Sequence, residues 1–249
     1  MRILAIIGEN RSVRVKLRII LLLAALLVEL LLLRLGFWQL ARGEEKQQAL
    51  QAVAAVLREK KAEPLAGALD QTQGYTWSQG RVVFRDAPLL LLDNQRRGNQ
   101  VGVSVFQAAD ADDGRTLLVD LGWLPVHGDR QLPKPAALSG SMLLEGLLLP
   151  PPSPGLAMGP AFTAQADGSL LLMRLDQEAL SKALNRPLSG RILRVDPAQR
   201  IGFARDLSVQ ANTLPPEKHR AYALQWFGLA AAFAVLCFGV MMRKKNANG

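Results

Sequence analysis

The sequence is poor in the residues on which disulfides, metal sites and nucleophilic catalysis depend. Its 249 residues include one cysteine and two histidines. The single cysteine, Cys237, excludes a disulfide within the chain, and because it lies in an apolar run it leaves no thiol for the polar middle of the sequence. No glycine-rich phosphate loop, G-x-S-x-G motif or H-E-x-x-H motif occurs. We therefore expect neither an enzyme nor a resident metal site.

Long apolar runs are concentrated at the two ends of the chain. Residues 19–38 and 221–242 are each long enough to cross a bilayer as a helix, which takes about 20 apolar residues. The sequence predicts transmembrane helices over these two ranges, terminal tails over 1–18 and 243–249, and one domain over 39–220. A cleaved signal peptide is the alternative for the N-terminus, but no small-x-small cleavage site follows the first run.

The net charge of +9 is typical of a nucleic-acid-binding protein until its distribution is considered. Residues 1–18 carry +4 and residues 243–245 carry +3, which leaves +2 for everything between. Positive charge beside a membrane helix is typical of the cytoplasmic side. We therefore predict that both termini are cytoplasmic, that the central domain is exported, and that nucleic acid is not a partner.

The central region has the pattern of a β-rich domain. A helix-favouring segment after the first span, ended by Pro64, predicts a helical stalk. The turn at Asp113-Gly114 predicts a hairpin, and Asp176 is the expected N-cap of a short helix ending at Leu184. Short apolar runs predict strands at 81–84, 89–92, 101–107, 116–121, 142–149, 170–175 and 192–195. The predicted fold class is an α+β membrane protein with a mostly antiparallel exported domain between two transmembrane helices.

One histidine lies where the second apolar run begins. His219, Tyr222 and Trp226 follow one another at helical spacing. A neutral imidazole is a common axial ligand of haem iron, so this position fits a haem or metal ligand at the membrane surface. The alternative is a polar residue within the aromatic belt of a membrane helix. The other histidine, His127, is expected at the surface of a loop.

Three charged residues around the first apolar run also have two interpretations. Glu29 lies near the middle of the run, and a carboxylate there either faces a partner or is protonated and tolerated in a leucine-rich helix. Arg42 and Lys46 lie just beyond the run. They are candidates for binding lipid headgroups, haem propionates or a partner, or else are solvated stalk residues.

Three blocks, in this order, resemble the Surfeit locus protein 1 family of cytochrome c oxidase assembly factors. Residues 36–42 (G-F-W-Q-L-A-R), followed by Lys46, are similar to the family motif G-x-W-Q-x-x-R-x-x-x-K. Residues 91–94 and 117–125 resemble its L-D-N-R and V-N-R-G-W-V-P blocks, and residues 219–227 (H-R-A-Y-A-L-Q-W-F) resemble H-x-x-Y-A-x-Q-W-F. The chain departs from the family pattern at Val103, Gln95 and Leu121.

The resemblance implies a bacterial inner-membrane protein with a periplasmic domain and no enzymatic activity. It implies transient binding of haem a during insertion into oxidase subunit I, with haem a synthase as a second partner and membrane lipids around the helices. His219 matches the family histidine implicated in haem binding. The expected cofactor-binding residues are His219, Tyr222, Gln225 and Trp226, and the expected partner or membrane contacts are Glu29, Trp38, Gln39, Arg42 and Lys46.

Two alternatives to a haem-handling factor remain. A structural scaffold that binds the oxidase subunit without touching haem shares every feature except the need for His219. A sensor or receptor is the third possibility, and the short C-terminal tail offers it no output domain.

Overall fold

The computed structural model describes residues 2–71, 73–126, 128, 131–152, 159–208 and 214–246, and the side chains among them from 16 to 243. His127 and residues 247–249 of the expected tail lie outside these ranges. The elements are α1 (Arg2–Glu59), β1 (Glu63–Pro64), α2 (Leu65–Ala68), β2 (Thr76–Phe84), β3 (Leu90–Arg97), β4 (Gln100–Ala111), β5 (Thr116–Pro125), β6 (Gly140–Leu149), β7 (Phe162–Ala164), β8 (Leu170–Leu172), α3 (Gln177–Ala183), β9 (Leu188–Val195) and α4 (Pro216–Asn246).

The chain forms two compact units. One consists of Met1–Gln48 with Asn212–Gly249 and contains α4 and most of α1. The other is Ala49–Ala211 and contains the strands. The boundary falls within α1, a continuous helix of 58 residues.

Both long helices contain a stretch that is long and apolar enough to cross a membrane. These stretches are Lys16–Glu59 in α1 and Pro216–Arg243 in α4, and they include the predicted spans 19–38 and 221–242. Helix α1 continues past the apolar run to Glu59. It ends there because Lys60 has a φ of 42°, which no right-handed helix accommodates.

Five strands of the second unit close into a barrel. Strand β2 pairs with β6, β6 with β9, β9 with β5, and β5 with β4. Pairing of Val82–Phe84 in β2 with Ala109–Ala111 in β4 completes the ring. If β2, β4, β5, β6 and β9 are numbered 1 to 5 in chain order, their order around the ring is 1-2-3-5-4. This is the strand order of the OB fold, a five-stranded Greek-key barrel. Strands β3, β8 and β7 extend the sheet from β4.

Strand β5 has apolar residues on both faces, because successive side chains of a strand point to opposite faces. Leu117, Val119 and Leu121 enter the barrel core, while Leu118 belongs to a second cluster that includes Leu180 of α3. All five are at most 1% exposed. A strand buried on both faces is typical of a central strand with cover on each side.

Two local predictions are confirmed. The Asp113-Gly114 turn joins β4 to β5 as an antiparallel hairpin, with Gly114 at a φ of 82° that favours glycine. Asp176 is the N-cap of α3, since its side chain accepts a hydrogen bond from the backbone N–H of Ala179 at 3.1 Å.

The prediction of a mostly antiparallel domain is wrong, because the sheet is mixed. Parallel pairing joins β1 to β2, β3 to β8 and β5 to β9. Turn residues indicate which neighbouring strands form hairpins, whereas β3 and β8, or β5 and β9, are separated by long stretches of chain that carry no such signal. Strands β1 and β7, of two and three residues, were not predicted.

Candidate functional site between the two apolar helices

In each long helix, a series of buried and half-buried positions recurs every three or four residues along one face. The series includes Ala25, Glu29, Leu32, Gly36, Gln39, Gly43 and Lys46 in α1, and Pro216, His219, Ala223, Trp226, Ala230, Phe233 and Cys237 in α4. An average repeat of about 3.5 residues is typical of helices that pack as a left-handed coiled coil. We call these two faces together the helix seam.

Small residues bring the two backbones close together along the helix seam. Gly36, Gly43, Ala223 and Ala230 are all buried. Glycine and alanine at such positions permit close approach of helices in membranes, where packing and hydrogen bonds replace the hydrophobic effect as the driving force. The seam is thus built for a tight pair of apolar helices.

His219 lies in this seam and is hydrogen-bonded to the other helix. Its Nδ1 is 2.7 Å from Oε1 of Gln39, and only 8% of the residue is exposed. Gly43 makes room for it, since a Cβ at position 43 would lie 3.3 Å from the Cβ of His219. The histidine lies in the first turn of α4, where its backbone N–H donates a hydrogen bond to the carbonyl of Pro215 at 3.4 Å.

Of the three other residues expected at the haem site, Trp226 shares the helix seam with His219, and Tyr222 and Gln225 do not. Trp226 is half-buried on the seam, two turns further along α4. Tyr222 is 41% exposed and Gln225 is exposed, so both lie beside the seam. The structure thus brings His219 and Trp226 to one face and leaves the phenol and the amide accessible.

The expected partner or membrane contacts of α1 divide in the same way. Gln39 is directed at His219, and Lys46 is half-buried on the seam. Trp38 is 53% exposed, and Arg42 is exposed and forms a 2.6 Å ion pair with Glu45. Gln39 therefore belongs structurally with the histidine.

Glu29 lies on the seam as well, deeper in the apolar stretch. It is half-buried, and its Oε2 is fully buried with no hydrogen-bond partner among the described residues. Because α1 and α4 run in opposite directions and Gly36 meets Phe227, Glu29 lies about level with Phe233. A carboxylate in this position is costly unless a proton or a polar group reaches it.

Sequence reasoning missed the role of the glycines in the helix seam and a pair of aromatic rings beside it. The ring of Phe227 lies 5.2 Å from that of Phe37, centroid to centroid, at an interplanar angle of 74°. The edge-on geometry is a favourable arrangement of two aromatic rings. The repeat of Gly36, Gly43, Ala223 and Ala230 every seven residues could have revealed the seam.

The barrel unit also has a group of polar side chains around a cleft of about 470 Å³. Asp110 there accepts hydrogen bonds from Arg85 at 2.5 Å, Thr116 at 2.8 Å and Arg186 at 3.1 Å. Burial alone would raise the pKa of Asp110, but these hydrogen bonds outweigh it and lower the pKa. The carboxylate of Asp110 is thus paired within the protein by two arginines. Among the described residues no group of three or more His, Cys, Asp or Glu side chains could hold a metal ion.

The fold and the site together define a class of protein with two apolar helices of membrane-spanning length and a buried histidine where they pack. In the sequence, one helix precedes the β-barrel and the other follows it. The chain belongs to the SURF1 family, whose model matches residues 26–231, most of the chain. The matched range includes Glu29, Gln39, His219 and Trp226. The family is known for cytochrome c oxidase assembly and is generally non-enzymatic. A comparison with curated proteins found no match.

Proposed function

We propose that this protein binds haem a through His219 while the haem is delivered to subunit I of cytochrome c oxidase. Haem a is then a cargo that is held and released. The observation that carries the proposal is the placement of His219, a histidine held by a hydrogen bond in the seam of two apolar helices. A neutral imidazole is the usual protein ligand for haem iron, and an apolar surrounding suits the porphyrin.

The side chains around His219 fit such a cargo. Trp226 and Tyr222 supply aromatic surface on the same helix, and Gln225 supplies an accessible amide. Arg42 and Lys46 supply positive charge near the level of His219, because Gly43 of the same helix lies against the histidine. Haem carries two propionate carboxylates, which such cations would bind. Iron ligation at one nitrogen of His219 is the chemistry that the bound group would add.

The apolar faces of the two helices support a place in the bacterial inner membrane. Leucines such as Leu22, Leu26 and Leu30 are more than half exposed, as lipid-facing or partner-facing residues are. The basic residues beyond both apolar stretches favour cytoplasmic termini and a periplasmic barrel. Subunit I and haem a synthase, which hold or make haem a in the same membrane, are the partners that this function requires.

The test is haem content after coexpression with the enzymes of haem a synthesis. Wild-type protein purified in detergent should carry haem a, seen in its absorption spectrum, and His219→Ala should lose it. His127→Ala is the matched control, because His127 is the only other histidine. Equal haem content in wild type and His219→Ala would overturn the proposal.

A membrane scaffold without haem is the second candidate. It is favoured by Oε2 of Glu29, which is buried in the apolar stretch of α1 and has no hydrogen-bond partner among the described residues. The same strains distinguish the two functions. If oxidase assembly requires the protein while wild type and His219→Ala both purify without haem and both support assembly, the scaffold function is correct.

A further inference from the structure

The hydrogen bond between Gln39 and His219 joins residues that are 180 positions apart in the sequence. A neutral imidazole has one nitrogen that donates a hydrogen bond and one that accepts. The atom of Gln39 that approaches Nδ1 is the amide oxygen Oε1, which accepts only. The proton of a neutral His219 must therefore be on Nδ1, and the lone pair is on Nε2.

We propose that Gln39 is a positioning residue that holds His219 in the tautomer whose Nε2 is free to bind iron. Metal-binding histidines almost always donate their other ring N–H to a carbonyl or carboxylate, which fixes both tautomer and ring orientation. Within the described part of the chain, Gln39 is the hydrogen-bond partner of the His219 ring, so Nε2 has no competing protein partner. This role rests on the haem-binding function proposed above.

The helix seam makes this contact depend on the pairing of α1 and α4. Gln39 lies about one turn from Gly36 on one side and from Gly43 on the other, and both glycines lie against α4. The side chain of Gln39 reaches the imidazole because the two backbones approach closely at these glycines. Separation of the helices would release the ring and return its proton to the distribution found in water. The ligand nitrogen is thus prepared only when the two helices are packed.

The tautomer can be measured without haem. The chain has two histidines, so ¹⁵N-labelled histidine in detergent-solubilised wild-type protein gives two ring patterns in a long-range ¹H–¹⁵N correlation spectrum. His127→Gln assigns the pattern of His219. At a pH where the ring is neutral we expect a protonated Nδ1 and an unprotonated Nε2. A proton on Nε2 would overturn the proposal.

Haem binding then tests the consequence. In titrations with purified haem a, Gln39→Leu should bind about 10- to 100-fold more weakly than wild type, the usual cost of losing such an outer partner of a metal ligand. Gln39→Glu should retain binding, since a carboxylate also accepts from Nδ1–H. It should also lower the haem reduction potential, because a more basic imidazole favours ferric iron. Gln48→Leu is the matched control, since Gln48 lies exposed on the same helix and contacts Glu44.

These outcomes separate the two proposals. If wild type binds no haem a, the haem-binding function fails, and the NMR spectrum still decides the tautomer. If wild type binds haem a but Gln39→Leu binds it equally well, with the same potential, only the role of Gln39 is overturned. Helix content by circular dichroism identifies a variant that has lost its fold, and for such a variant Gln39→Glu provides the decisive comparison.

Discussion

The aromatic ring of Phe227 fills the space in which any residue larger than glycine at position 36 would place its Cβ. That atom would lie 2.5 Å from Cε1 of the ring, well inside van der Waals contact. The ring is also held from the side by Phe37. The seam of the two helices is therefore tight at a point one turn from the hydrogen bond between Gln39 and His219.

Gly36→Ala should destabilise the helix pair by about 1–3 kcal/mol, the usual cost of overpacking. Alanine favours a helix over glycine by about 1 kcal/mol, so a loss of stability would show that the contact outweighs the intrinsic preference. Thermal unfolding in detergent, followed by circular dichroism, measures the change. Adding Phe227→Leu to Gly36→Ala should restore part of the loss.

The matched control for this substitution is Gly228→Ala. Gly228 lies in α4, next to Phe227, and a Cβ there would meet nothing within 4 Å. We expect unchanged stability, or a gain of up to about 1 kcal/mol. Equal behaviour of Gly36→Ala and Gly228→Ala would contradict the tight seam.

Much of the fold was predictable because its signals are local. Apolar runs indicate α1 and α4, the Asp113-Gly114 turn indicates the β4–β5 hairpin, and the capping residue Asp176 indicates α3. The closure of the barrel was not predictable in this way. It depends on β2 meeting β4 and on β5 running parallel to β9, and pairings between distant strands have no signature in the residues of either strand alone.

The candidate site was predictable in its residues but not in its geometry. His219 stands out because histidine is rare in this chain, whereas the sequence indicates Gln39 only as a partner or membrane contact. Its hydrogen bond to His219 depends on the register of two helices that are far apart in sequence. The seven-residue spacing of Gly36 and Gly43 in α1, and of Ala223 and Ala230 in α4, is the sequence signal that bears on this register.

Gly146→Ala should destabilise the barrel by about 3 kcal/mol. Gly146 pairs with Val195, and a Cβ at position 146 would lie 2.1 Å from the backbone oxygen of Arg194 in β9. A backbone oxygen cannot rotate away as a side chain can, so the two strands would have to separate. Urea unfolding followed by tryptophan fluorescence measures the change, because Trp77 is buried beside β6. Gly190→Ala in the neighbouring strand β9, where a Cβ would meet nothing within 4 Å, should have little effect.

The barrel unit should lose stability in acid partly through Asp110. Burial would raise the pKa of Asp110, but hydrogen bonds from Thr116, Arg85 and Arg186 together outweigh it and lower the pKa below its ordinary value of 3.8. A carboxyl with a lowered pKa stabilises the fold above the pKa of the unfolded chain, and this contribution is lost as the pH falls through the folded pKa. Urea unfolding of wild type between about pH 6 and pH 2 should show the decline. Asp110→Asn should be less stable at neutral pH and show a shallower decline, and an equally steep one would contradict this assignment.

Glu29 permits a prediction in which stability and function change in opposite directions. Its Oε2 is buried in the helix seam without a hydrogen-bond partner in the described residues, and a carboxylate at the centre of a membrane helix costs about 2.5–3.5 kcal/mol on insertion scales. Glu29→Leu should therefore raise the thermal stability of the detergent-solubilised protein. If the carboxyl is retained because a polar group of oxidase subunit I reaches it, the same variant should recover less subunit I in affinity purification, and Glu29→Gln should recover an intermediate amount.

Leu30→Ala, at the neighbouring exposed position, controls for a general change of the helix surface. A more stable Glu29→Leu that recovers subunit I as well as wild type does would leave Glu29 without a partner role.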